Sequence, residues 1–170
     1  MFNKRILIFC IILALMAAAL QAVPFVFGTV FSFAVLLNGF PVYIAARFSY
    51  TLGILVYLSA AALMALYNFC EAVFFACTNG IIGLSLGIMK GLFKSIYTVP
   101  ALSALLDITI LLMVNYLFGI RIFNSSVFGT PVSQTAALLI PMYFYCLVYL
   151  RLATSVDNLL HKYIDFNIHT

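Results

Sequence analysis

The chain has 170 residues, 66% of them apolar and only 7% charged, whereas a soluble domain carries about 25% charged residues. Mean hydropathy is +1.23, which excludes a soluble globular domain, and the net charge of +4 comes from eight scattered cations against four acids, with no basic stripe suited to nucleic acid. Apolar runs near twenty residues recur instead of the alternating segments of about ten that build membrane barrels, so an all-α bundle in the lipid bilayer is expected.

At ~20 apolar residues per crossing helix, six spans use about 120 residues and leave room only for loops and tails. Residues 1–170 are therefore read as a single membrane domain. Lys4 and Arg5 precede an apolar run from Ile6 to Phe27, longer than the ~7 to 15 residues of a secretory signal core, and this is the first span. Ala14, Ala18 and Ala22 recur within it at every fourth position. Small residues so spaced let helix backbones approach closely in lipid, here against the bundle itself or against a membrane partner.

The second span, 29–46, contains Asn38-Gly39-Phe40-Pro41. Proline removes a backbone donor and restricts the residue before it, so this span is expected to be broken or re-entrant, with a packed proline kink as the alternative. The third span is 50–69 and the fourth 72–89. Gly80, Gly83, Gly87 and Gly91 mark the fourth with a second small-residue face, read as internal packing. Gly83-Leu84-Ser85-Leu86-Gly87 carries the letters of a nucleophile elbow. That motif needs a strand-to-helix turn and a histidine base, whereas Ser85 lies in an apolar helix and His161 and His169 fall in the tail.

The fifth span, 96–118, holds Asp107 about eleven residues from either end. At that depth an ionised Asp costs ~2.5 to 3.5 kcal/mol on insertion scales, so protonation, a hydrogen bond to a group such as Asn79 or Asn115, or a ligand must offset it. Gly119 to Thr130 is the longest connection, a solvated linker or a lid, with Arg121 facing Glu71 across the surface. The sixth span is 131–150, and residues 151–170 are expected to form a short cytoplasmic tail with an interfacial helix.

If both termini are cytoplasmic, Lys4, Arg5, Arg47, Lys90, Lys94, Arg151 and Lys162 lie inside and only Arg121 outside, as the positive-inside rule requires. Asn68, Glu71, Asn79, Asn115 and Arg121 then gather in the outer half among Phe25, Phe27, Phe31, Tyr67, Phe74 and Phe75. A few polar anchors between aromatic walls are what a small-molecule pocket requires, and an interfacial aromatic belt is the other reading. With Asp107, these five form the candidate substrate site. The four cysteines make no C-x-x-C pair, so neither a disulfide framework nor a metal site is expected. No cofactor is implied, and no nucleophile-base pair or catalytic carboxylate pair points to an enzyme.

The six-span plan, the length, Ala14-x-x-x-Ala18 and the interrupted second span together resemble the substrate-binding S components of energy-coupling factor transporters. Pro41-Val-Tyr-Ile-Ala-Ala-Arg47 followed by Gly53, and Gly80-Ile-Ile-Gly83-x-x-x-Gly87, are similar to the related YybS-type membrane proteins of bacteria; the likeness covers about residues 5 to 120. The resemblance implies a bacterial plasma-membrane subunit that captures a vitamin-like molecule or a metal ion and docks through Ala14, Ala18 and Ala22 on a coupling subunit served by ATPases. The alternative expectation is a non-transporting scaffold similar to the rod-shape determinant MreD, with partner faces and no ligand pocket.

Overall fold

The computed structural model describes residues 4–93, 95–117 and 131–168. All its elements are helical: α1 (Lys4–Phe27), a 3-10 segment (Thr29–Leu37), α2 (Phe40–Phe48), α3 (Tyr50–Ala65), α4 (Phe69–Cys77), α5 (Asn79–Leu92), α6 (Thr98–Leu117) and α7 (Pro131–Ile168). Among the described residues, five segments are long and apolar enough to cross a membrane: Ile6–Phe27, Val30–Phe48, Tyr50–Tyr67, Phe69–Leu92 and Thr135–Val156. Large apolar side chains such as Ile8, Val30, Leu58 and Leu66 are exposed along the helices. Such surface is stable only against lipid or other protein, and the chain is a multi-pass membrane protein.

The short α2 lies at the centre. Val42 and Ala45 join residues of α1, α3 and α4 in one core, while Tyr43 joins residues of α5, α6 and α7 in the other. Small residues permit this position. Ala46 lies between Gly53 of α3 and Gly87 of α5, and a β-carbon on either glycine would lie 2.6 Å from its methyl group. The glycine face of α5 is thus used inside the bundle, where backbone contact replaces the solvent-driven packing that lipid does not provide.

Two interruptions face each other. The first follows α1, where Gly28 at φ 89 turns the chain into the 3-10 segment, and Asn38-Gly39 then leads into α2 with Pro41 in its first turn. The second lies at Thr78, which separates α4 from α5. The sequence reading has one uninterrupted helix over 72–89; Thr78-Asn79-Gly80 is the turn signal that divides it. A carbonyl freed inside a bilayer needs a partner, and side chains supply several. Tyr57 donates to the carbonyl of Ala76 at 2.9 Å, and Thr78 Oγ1 to that of Phe74 at 2.6 Å. Asn79 Nδ2 donates to the carbonyl of Val35 at 2.9 Å.

The C-terminal region also differs from expectation. In place of a span followed by a separate interfacial helix, α7 runs unbroken for 38 residues. No glycine or proline occurs between Arg151 and Ile168, so the backbone has no reason to stop. At 1.5 Å per residue this helix is about 57 Å long, well beyond the ~30 Å hydrocarbon layer.

Candidate functional site

A cavity of about 520 Å³ opens at the end of the bundle where α1 finishes and α4 begins. Its walls come from Gln21, Pro24 and Phe25 of α1, from Ser32, Val35 and Leu36 of the 3-10 segment, and from Tyr67, Glu71, Phe74, Thr78 and Asn79. Both backbone interruptions therefore contribute to it, as expected where irregular backbone survives at membrane depth. Its volume falls within the ~300–1,000 Å³ of small-molecule sites.

A chain of side-chain hydrogen bonds forms one side. Gln21 Nε2 donates to Glu71 Oε2, and Asn38 Nδ2 donates to Gln21 Oε1. Gln21 and Asn38 are buried, so this chain ties α1 and the turn before α2 to the first turn of α4. Asn79 forms a second clamp. Besides bonding Val35, it accepts at Oδ1 from the Tyr145 hydroxyl at 3.0 Å, which joins the 3-10 segment, α5 and α7. The amide groups of Gln21 and Asn79 are thus both engaged at nitrogen and oxygen, and they position the wall more than they offer free valence.

Of the residues expected to bind substrate, Glu71 and Asn79 meet in the cavity. Asn68 instead caps α4: its Oδ1 accepts from the backbone nitrogens of Cys70 and Glu71 at 3.0 and 3.4 Å. That pairing satisfies two of the four orphan donors at a helix start and sets Glu71 in the first turn, where a negative charge suits the helix dipole. Asp107 is elsewhere, fully buried in α6; neither carboxyl oxygen has a hydrogen-bond partner among the described residues. The same holds for Ser103 Oγ, one turn earlier on that face. Asn115 lies in α6 with only its backbone described, and Arg121 is outside the described residues.

Gln21, which lines the cavity, and its hydrogen-bond partner Asn38 are polar residues inside apolar runs, the pattern that marks candidate functional positions in a membrane helix. Of the alanine stripe, Ala14 is buried in the core beside Ala17, Val56 and Ala60, while Ala18 and Ala22 are half-buried. Ile8, Ile11, Leu15 and Ala19 of α1 are exposed. No three His, Cys, Asp or Glu side chains gather as a metal site among the described residues. Compared with protein-family models, with curated proteins and with solved structures, the chain has no match.

Proposed function

We propose that this protein is a substrate-capture subunit of the plasma membrane, similar in role to the S component of an energy-coupling factor transporter, and that the cavity beside Glu71 receives its solute. The observation that carries this reading is the cavity itself, a space of about 520 Å³ bordered by Glu71, Asn79 and aromatic side chains. A scaffold built only of partner faces has no need of a carboxylate and an amide bordering such a space.

In this reading the chain crosses the bilayer six times. Helix α6 is the additional crossing, since its 20 residues span about 30 Å, the thickness of the hydrocarbon core. The 3-10 segment and α2 form one interrupted crossing. The cavity faces outward, because Arg47 and Lys90 end α2 and α5 and Lys4 begins α1 at the opposite end, and cations favour the cytoplasmic side. Docking on a coupling subunit then uses the lipid-facing side of α1 around Leu15, Ala19 and Ala22, with Ala18 at its edge.

Purification from the native membrane into lipid nanodiscs, followed by mass spectrometry, tests the proposal. A retained small solute together with a coupling subunit and ATPases is expected. Cell-wall elongation proteins in their place, with no solute, would favour the MreD-like scaffold.

A further inference from the structure

We infer that the cavity selects a small organic monocation, an amine or ammonium group on a flat apolar body, with Glu71 as its counter-ion. This inference rests on the cavity being a solute site, and three observations specify the chemistry. First, Glu71 is the one charged residue of the described wall, which holds no Lys, Arg or His. Within the described wall this carboxylate has no cation beside it, and a carboxylate beside apolar surface attracts cations and repels anions, both effects being strengthened by low-dielectric walls. Second, Phe25, Tyr67 and Phe74 border the same space from α1, the α3–α4 turn and α4, and all three rings are exposed. Aromatic faces are electronegative and hold organic ammonium groups, while also covering an apolar body. Third, the wall's amides are already bonded, Gln21 to Glu71 and Asn38, Asn79 to Val35 and Tyr145, so the carboxylate dominates recognition. A divalent metal ion fits less well. Calcium takes roughly six to eight oxygen ligands, and even magnesium uses carboxylates with several waters, whereas the described wall presents one carboxylate among aromatic rings.

Three probes of one shape and different charge provide the test: phenethylammonium, 2-phenylethanol and phenylacetate, titrated calorimetrically against the full chain in nanodiscs, with empty nanodiscs subtracted. Phenethylammonium is expected to bind at least about tenfold more tightly than the alcohol, and phenylacetate more weakly than either. Glu71→Gln is expected to bring the first two within about twofold of each other, and Phe74→Leu to weaken both. Equal affinity for all three probes, or preference for phenylacetate, in the unmodified protein would overturn the charge selectivity while leaving a solute cavity in place. Absence of binding by every probe would overturn the inference and count against the cavity as a solute site. The wild-type comparison decides the matter even where Glu71→Gln does not fold.

Discussion

A β-carbon on Gly83 would overlap the carbonyl oxygen of Gly39: the backbone of α5 rests directly on the turn that starts α2. Two interrupted segments are joined at this point, and no side chain fits between them. Replacing Gly83 by Ala is expected to destabilise the protein by about 1–3 kcal/mol, the usual range for overpacking, seen as a lower melting temperature in detergent. Gly91→Ala is the control. Its nearest neighbour would be 3.9 Å away, and the change is expected to be neutral or stabilising by up to about 1 kcal/mol from helix propensity.

The Glu71–Gln21–Asn38 chain predicts non-additive mutations. Gln21→Leu leaves Asn38 Nδ2 without its partner in a buried place, at a cost of about 1–3 kcal/mol. Asn38→Leu removes the other end. Because the two residues share one interaction, the double variant is expected to lose less stability than the sum of the singles, by about 0.5–3 kcal/mol. Strict additivity in thermal or denaturant unfolding would show that the chain does not act as a unit.

Asn68 separates structural from binding roles. Removing its cap with Asn68→Ala is expected to cost about 0.5–2 kcal/mol, while Asn68→Asp or Asn68→Ser retains most stability. If Asn68 only caps α4, probe affinity in the Asp and Ser variants stays near wild type while the Ala variant loses stability. Equal loss of affinity in all three would return Asn68 to the ligand site.

Ser103 and Asp107 make the opposite prediction. Neither side chain has a hydrogen-bond partner among the described residues, and removing a buried polar group that makes no bond is neutral or stabilising. Ser103→Ala and Asp107→Leu are expected to leave the melting temperature unchanged or raise it. A loss of more than about 1 kcal/mol in either would identify a bond formed there.

The helical class was legible because nearly every segment is apolar on all sides, and that property alone locates five candidate crossings among the described residues. Pro41 falls in the first turn of α2, where its missing donor is tolerated. The division of the fourth span at Thr78 had a weaker signal: a Thr-Asn-Gly triplet breaks a helix only when tertiary contacts satisfy its freed carbonyls, and Tyr57 lies 19 positions from Ala76, whose carbonyl it satisfies. Asn68 and Glu71 were legible as polar neighbours where the third expected span meets the fourth, yet their division of labour was not, since both capping and ligand binding favour a polar side chain. Small-residue stripes mark contact faces without naming the partner. The glycine stripe meets α2, and Ala14 meets the core, because helix rotation is fixed by neighbours that a single stripe does not encode.

The proposed outward orientation of the cavity is tested most directly by the natural thiol beside it. Cys70, adjacent to Glu71 in the first turn of α4, is exposed, and Ser95, just beyond α5 at the opposite end, is exposed too. One variant keeps Cys70 with the other three cysteines replaced; the other introduces Ser95→Cys into a background lacking all four. In intact cells a membrane-impermeant maleimide is expected to label Cys70 and to reach the position 95 thiol only after permeabilisation. The reverse pattern would place Glu71 on the cytoplasmic side and contradict capture from the exterior.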